Sequence, residues 1–150
     1  MKAVIQRVRS SSVEVAGKIV GSIGHGLNIL IGIAPDDQEE DIEWLCKKIL
    51  NLRIFDDQDG VMNRSIQEVG GEILVISQFT LMASTKKGNR PSWIQAAPPQ
   101  VAIPLYESFK LYLTNHLGDK VKCGIFGEDM LVSIENNGPV TILIDTKNKV

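Results

Sequence analysis

The order of strand-like and helix-like segments constrains the fold of this chain more than any other feature. Residues 3–34 alternate short apolar segments with glycine-containing turns, which is typical of antiparallel strands. Only two segments have the apolar spacing of one helix face, and they run from about Gln38 to Leu52 and from Pro98 or Pro99 to Gly118. Runs of strands interrupted by isolated helices predict an α+β fold with a mainly antiparallel, barrel-like β-sheet and two principal helices.

Further strands are predicted after each helix. The strongest strand pattern in the chain is Ile73–Ile76, and Val121–Phe126 and Leu131–Glu135 have weaker ones. The segment Asn136-Asn137-Gly138 predicts a tight turn before a last strand, Val140–Asp145. We therefore expect about eight strands, with no internal repeat.

Length, composition and charge limit the class of protein. The 150 residues suit a single domain spanning 1–150, and the 43% hydrophobic and 23% charged composition predicts a globular, soluble chain. The formal net charge of -2 argues against binding nucleic acid through bulk positive charge, so an RNA partner must be met at a local patch. Cys46 and Cys123 are far apart and lie in no metal-binding spacing, and no signal-peptide pattern opens the chain. A cytoplasmic location with no membrane partner is the expectation.

Familiar catalytic motifs are absent. The chain has no G-x-S-x-G elbow, no Walker loop and no H-E-x-x-H. Of its two histidines, His25 lies in a predicted turn and His116 near the end of the second predicted helix. A serine or cysteine nucleophile activated by histidine is therefore poorly supported.

Three segments contain residues that formation of the fold alone does not explain. Ser77–Ala83 continues the strongest strand with polar side chains, Lys86–Trp93 gathers three cations and an aromatic residue, and Asn136–Thr141 contains the Gly-Pro dipeptide. Taken singly, each has an ordinary explanation: a strand end, a solvated surface loop and a hairpin turn.

Together these segments resemble the signature motifs of the D-aminoacyl-tRNA deacylase family. The matching motifs are Ser77-Gln78-Phe79-Thr80-Leu81, Gly88-Asn89-Arg90-Pro91-Ser92 and Asn137-Gly138-Pro139-Val140-Thr141. Their order and spacing agree with the family, and the resemblance covers essentially the whole chain. There are two small departures, Trp93 where the family has Phe and Asn137 where Asp is usual.

The resemblance implies a homodimer that hydrolyses the ester of D-aminoacyl-tRNA, and of glycyl-tRNA mischarged on tRNA-Ala, while rejecting L-aminoacyl esters. It implies no metal or organic cofactor. The family places the active site at the subunit interface, where Gly138-Pro139, joined by a cis bond, enters the partner's pocket. Arg7 is at the position expected to brace this dipeptide, a role that suits the fixed donors of a guanidinium.

The resemblance also supplies the catalytic candidates Ser77, Gln78, Phe79 and Thr80. Thr80 is the natural candidate for a nucleophile, but a threonine hydroxyl is weak without an activating base, and no histidine partner is evident. In the alternative, main-chain N–H groups of this segment hold the ester carbonyl while the 2'-hydroxyl of the tRNA orients or activates water. Thr80 then only positions the substrate.

The nucleic acid is expected to contact the basic loop, where Lys86, Lys87 and Arg90 can meet phosphates of the acceptor stem. The same loop and the exposed aromatic side chains also fit a second hypothesis, a non-catalytic module that binds the 3'-end of RNA. The residues by themselves leave both open.

Overall fold

Eight strands and three α-helices make up the computed structural model, which describes residues 1–150. The strands are β1 (Lys2–Val15), β2 (Lys18–Ile23), β3 (Gly26–Gly32), β4 (Phe55–Asp56), β5 (Met62–Arg64), β6 (Glu72–Ser77), β7 (Val121–Cys123) and β8 (Leu131–Asp145). The helices are α1 (Glu39–Asn51), α2 (Ile66–Val69) and α3 (Pro99–Leu117), with 3-10 turns at Phe79–Met82 and Gly118–Lys120.

The long strand β1 organises the sheet. It pairs antiparallel with β3 through its first half, with β2 through its second half and with β8 along nearly its whole length. β6 then pairs parallel with β3 and β7 parallel with β6, because the connections between these strands run through helices. The predicted α+β class, with a barrel-like sheet and two long helices, is confirmed, and the sheet is mixed.

The barrel nearly closes where β2 approaches β7. A Cβ atom at Gly21 would lie 2.9 Å from the main-chain oxygen of Cys123, so a glycine is needed at this close approach.

The two long helices lie where their apolar spacing predicts. The helix α1 buries Ile42, Leu45, Cys46, Ile49 and Leu50, which are the positions of one face. The helix α3 begins with proline at its first position, where the missing N–H costs nothing, and buries Tyr106 and Phe109. Both helices pack against the same face of the sheet and form with it a core of 21 buried residues.

The opposite face of the sheet is only partly covered. A smaller core of five residues, including Val13 and Ile76, fills the curled part of the barrel. Farther along, Val4 pairs with Leu30 on one side and with Leu143 on the other, so these three apolar side chains lie next to one another. Leu143 is 75% exposed. We call Val4, Leu30 and Leu143 the open face.

The predicted tight turn at Asn136-Asn137-Gly138 is wrong. One continuous strand, β8, pairs with β1, and its partners change from Val8↔Asn136 to Gln6↔Thr141. Residues 137–140 thus form a bulge opposite Arg7 alone. Turns and bulges are rich in the same residues, because both need a residue that can adopt a positive φ. Gly138 is such a residue, with a φ of +127°. Here the flanking segments pair with β1 instead of with each other.

The buried α-amino group of Met1 forms an ion pair with Asp37 and a hydrogen bond to the C-terminal segment. The α-amino group of Met1 donates to Asp37 Oδ1 over 2.6 Å and to Thr146 Oγ1 over 2.7 Å. Next to this pair, Lys147 Nζ lies 2.9 Å from Asp41 Oδ2 at the start of α1. The C-terminal segment is therefore tied to the first long helix.

This tie predicts a pH-dependent part of the stability. Burial by itself raises the pKa of Asp41, but hydrogen bonds from Lys147, from Thr146 and from the main chain of Gln38 outweigh it and lower the pKa to about 2. A lowered pKa means that the stabilisation is complete above the ordinary pKa of 3.8 and is lost as the pH falls through about 2. We expect Asp41→Asn to lower the free energy of unfolding by about 1–2 kcal/mol at pH 7. In urea titrations the difference from wild type should shrink below pH 4; a constant difference from pH 7 to pH 2 would contradict the assignment.

Candidate active site

A cleft of about 300 Å³ opens where β6 ends. The strand stops at Ser77 and the chain turns into the 3-10 turn, so the polar residues that follow the strand lie at its end and not within the sheet. One wall is formed by the end of β6 and the first residue of the turn, and the other by the segment before and at the start of β8. The lining residues are Ile76, Ser77, Gln78, Phe79, Phe126, Gly127, Glu128, Asp129, Met130 and Val132.

The main chain at Gln78 is held in place from both sides. Its N–H donates to the carbonyl of Ile31 over 2.7 Å, and its own carbonyl accepts from the N–H of Leu81 over 3.2 Å. Phe79 and Thr80 begin the 3-10 turn, and N–H groups at the start of a helical turn have no partner within it. The turn therefore presents main-chain donors next to the cleft on a fixed backbone.

The side chains of Gln78 and Thr80 are linked, since Gln78 Nε2 donates to Thr80 Oγ1. Gln78 lines the cleft with Ser77 and Phe79, whereas the partly exposed Thr80 does not line it. No histidine or lysine lines the cleft either. The structure thus brings three of the four predicted catalytic residues to the wall of one cleft, and the fourth, Thr80, is hydrogen-bonded to one of them.

The wall formed by Phe126–Met130 was not predicted as part of a site. It contributes the two exposed carboxylates Glu128 and Asp129 to the cleft. In the sequence Gly124–Met130 also resembles the family, but a glycine-containing stretch between two strands is typical of an ordinary loop and does not by itself indicate a site. Its position opposite Gln78 depends on the closing of the barrel.

Phe79, which lines the cleft, pairs with the aromatic ring of Trp93. The rings of Phe79 and Trp93 meet edge to face with centroids 5.3 Å apart, and the two residues are 56% and 42% exposed. Mutual hydrogen bonds between Ser84 and Ser92 close the base of the loop that precedes Trp93. Partly exposed aromatic rings of this kind are suited to stack against a nucleic-acid base.

The basic loop lies beside this aromatic pair. Its cations Lys86, Lys87 and Arg90 are all exposed, and none forms an ion pair within the chain. They do not line the cleft itself.

The bulge of β8 is anchored by Arg7. The guanidinium donates from Nε to the carbonyl of Asn137 over 3.2 Å and from Nη1 to the carbonyl of Ile54 over 2.8 Å, and Nη1 also lies 3.3 Å from Asp56 Oδ1. Arg7 is only 8% exposed; its hydrogen bond to Ile54 is buried, and those to Asn137 and Asp56 are partly buried. The guanidinium thus holds the residue next to Gly138.

The tip of the bulge projects outward. Gly138 and Pro139 are exposed, and the bond between them is cis. At the base of the bulge, Asn136 Nδ2 donates to Thr141 Oγ1 over 3.1 Å. A Cβ atom at residue 138 would lie 2.8 Å from Val140 Cγ2, so a larger residue does not fit this backbone.

The bulge and the cleft are far apart within one chain. Ser77 is level with Ile31, Ala3 and Ile144 across the sheet, whereas the bulge faces Arg7, four residues farther along β1. This offset is about 13 Å along the strands, and on the other wall the bulge begins five residues of strand, roughly 16 Å, beyond Val132 of β8. Gly138 and Pro139 accordingly do not line the cleft of their own chain.

No group of three or more His, Cys, Asp or Glu side chains lies close enough to hold a metal ion. No helix has the length and apolar character needed to cross a membrane. His25 packs edge to face against Phe55, and His116 stacks on Tyr112.

Comparison with known proteins agrees with this architecture. A family model described as D-Tyr-tRNA(Tyr) deacylase matches residues 4–145. Proteins named D-aminoacyl-tRNA deacylase from Bacteroides thetaiotaomicron and Flavobacterium psychrophilum are 61% and 60% identical over 149 residues, which is 99% of each chain. A solved structure titled c-Myc DNA Unwinding Element Binding Protein superposes with a TM-score of 0.92 at 41% identity, covering 97% of this chain and 98% of its own.

The fold, the cleft and these matches define the class of protein, a hydrolase that acts on ester bonds. More particularly, the chain belongs to the D-Tyr-tRNA(Tyr) deacylase family. The family predicted from the three sequence motifs is therefore confirmed.

Proposed function

We propose that this protein hydrolyses the ester joining a D-amino acid to the 3'-terminal adenosine of tRNA. We further propose that it works as a homodimer in which the bulge of each subunit enters the cleft of the other. The observation that carries this proposal is the bulge itself, because Gly138 and Pro139 project outward on a braced backbone without reaching a cleft in their own chain.

The open face supports the homodimer. An apolar sheet face in water is unfavourable, and Val4, Leu30 and Leu143 lie on the side of the sheet that neither long helix covers. The bulge arises from the same strand as Leu143. A second copy that covers the open face therefore brings its own bulge to this side of the molecule.

The proposed chemistry uses the main chain more than the side chains. The N–H groups of Phe79 and Thr80 donate to the ester oxygen as negative charge develops on it, and the 2'-hydroxyl of the tRNA orients or activates the attacking water. Ser77 and Gln78 position the aminoacyl group from the cleft wall. Phe79, with Trp93 beside it, packs near the terminal adenosine.

Chiral selection follows from exclusion. The partner's Gly138-Pro139 main chain occupies the space into which an L side chain would project, while the amino group and ester carbonyl are held in common for all substrates. Glycine carries hydrogen at both positions and cannot be refused by such a filter. The proposal therefore includes hydrolysis of glycyl-tRNA mischarged on tRNA-Ala.

The decisive experiment compares D-tyrosyl-, L-tyrosyl- and glycyl-tRNA incubated with the purified protein. We expect rapid release of D-tyrosine and glycine and release of L-tyrosine at the spontaneous rate. Decay of all three esters at their spontaneous rates would instead support the non-catalytic RNA 3'-end binding module. Protection of glycyl-tRNA with rapid cleavage of D-tyrosyl-tRNA would show that the site reads the D side chain directly.

Complementation between two inactive variants tests whether each active site is built from both subunits. Gly138→Val disables the bulge, since a side chain there meets Val140, and Ser77→Phe blocks the cleft. Each variant alone should be inactive. Coexpressed with different tags, they should recover about a quarter of the wild-type sites, because half of the dimers are mixed and each mixed dimer has one intact site. No recovery in isolated mixed dimers would overturn the cross-subunit arrangement.

The basic loop carries a separate prediction. We expect replacement of Lys86, Lys87 and Arg90 by Ala to weaken tRNA binding and to flatten its dependence on salt, because each lost phosphate contact removes released counterions. The slope of log K against log salt is negative, and loss of two or three contacts should make it shallower by roughly 2. The preference for D over L esters should not change. Filter binding between 50 and 200 mM salt checks this, and a wild-type affinity and slope would show that the phosphates are met elsewhere.

A further inference from the structure

We infer that Thr80 is a positioning residue that acts through Gln78, by holding the amide of Gln78 so that its carbonyl oxygen faces the substrate. The inference rests on the proposed function and assigns Thr80 a role in it. The observation behind it is that Gln78 Nε2 donates to Thr80 Oγ1 while Gln78, and not Thr80, lines the cleft.

The hydrogen bond restricts the one part of Gln78 that is otherwise free. The main-chain N–H and carbonyl of this residue are both bonded, to Ile31 and Leu81. The side chain, by contrast, has three rotatable bonds and loses considerable rotamer entropy when it is ordered. The Thr80 hydroxyl supplies the contact that orders it.

The direction of the hydrogen bond determines what the cleft presents. A primary amide has two N–H donors and one acceptor oxygen, and here an N–H is directed to Thr80. Gln78 Oε1 has no hydrogen-bond partner within the chain and is not among the buried unpaired atoms. It is therefore an unpartnered, solvent-accessible acceptor on a residue that lines the cleft together with Glu128 and Asp129.

An acceptor in this place suits the donor groups that every aminoacyl-tRNA ester carries, the α-ammonium group and the ribose 2'-hydroxyl. Thr80 then contributes no bond-making step. The only side chain that hydrogen-bonds its hydroxyl is the amide of Gln78, which is not a base that could remove its proton.

A double-mutant cycle tests the inference with Thr80→Val, which keeps the shape of the side chain, Gln78→Met, which removes the amide, and the double variant. We expect each single change to lower the single-turnover rate on D-tyrosyl-tRNA about tenfold, with little change in KM. The double variant should also be about tenfold slower, because the effect of Thr80 passes through Gln78. Thr80→Ser, which keeps the hydroxyl, should stay within about twofold of wild type.

Two results would overturn the inference in an active enzyme. One is an additive, roughly hundredfold loss in the double variant, and the other is complete loss in Thr80→Val whether or not Gln78 is present, as a nucleophile requires. Thr114→Val is the matched control, since Thr114 makes a hydrogen bond only within its own helix, to the carbonyl of Lys110. It should not change the rate.

A measurement without substrate separates this inference from the proposed function. In NMR spectra of the full protein, the Gln78 side-chain amide should be ordered in wild type and Thr80→Ser and mobile on the ps–ns timescale in Thr80→Val. Equal mobility in all three would refute the role of Thr80 even if the protein is an active deacylase. An ordered amide in a protein that leaves D-tyrosyl-tRNA intact would refute only the proposed function.

Discussion

We expect Leu143→Glu to convert the protein to monomers and to lower its activity on D-tyrosyl-tRNA about a hundredfold at submicromolar concentration. Leu143 is 75% exposed and lies beside Val4 on the open face. Glutamate there forgoes about 2 kcal/mol of apolar burial in each subunit and adds an unpaired buried carboxylate that costs several kcal/mol more. The dimer dissociation constant should rise by about a thousandfold or more. Each monomer then has a cleft without the partner's bulge.

The matched control for this prediction is Leu111→Glu. Leu111 is also exposed, by 60%, but it lies on α3, which packs on the other face of the sheet. Light scattering after gel filtration should report a dimer for wild type and for Leu111→Glu and a monomer for Leu143→Glu. A Leu143→Glu protein that remains dimeric would show that subunits meet elsewhere, and a fully active monomer would refute the shared site.

The second large effect is expected at Arg7. Changing it to Lys keeps the charge but loses the fixed pair of donors that reach both Asn137 and Ile54. At least one buried carbonyl is then left unpaired, at a cost of about 1–3 kcal/mol. We expect a lower melting temperature and a bulge that is no longer held firmly. The rate on D-tyrosyl-tRNA should fall about tenfold, and the preference for D over L esters should fall with it.

Arg53→Lys provides the comparison, because exposed Arg53 makes a single main-chain contact, from Nε to the carbonyl of Asn63 over 3.0 Å. It should leave both the melting temperature and the chiral preference unchanged. Assays at 25 °C, with folding checked by circular dichroism, separate lost positioning from lost structure. An unchanged D to L ratio in folded Arg7→Lys would mean that the brace does not act on selection.

Local signals predicted the helices and the general class of fold. The apolar spacing of Ile42, Leu45 and Ile49 places them on one helix face in any environment, and α1 lies within a residue of its predicted limits. The strand Ile73–Ile76 was recognised because four consecutive apolar residues suit a strand buried on both faces. These features depend on neighbours within a few residues along the chain.

The bulge is a feature that local sequence patterns could not predict. Asn137 and Gly138 have the composition of a hairpin turn, and nothing nearby in the sequence shows that the segments on both sides pair with β1. The wall at Phe126–Met130 was missed for a related reason, since its distance from Gln78 is set by the curvature of the sheet. Long-range pairing is not encoded in the residues of either segment alone.

By itself, the sequence determined the family, the α+β class and the two long helices. It also determined which segments contain polar residues that the fold does not require. The tertiary structure alone decided that Gln78 lines the cleft and is hydrogen-bonded to Thr80, that Glu128 and Asp129 line the same cleft, and that the bulge lies far from it. The physical reason is the range of the interactions. Periodicity, turns and motifs arise from residues close in the chain, whereas a cleft is made by strands brought together across a barrel that must first close.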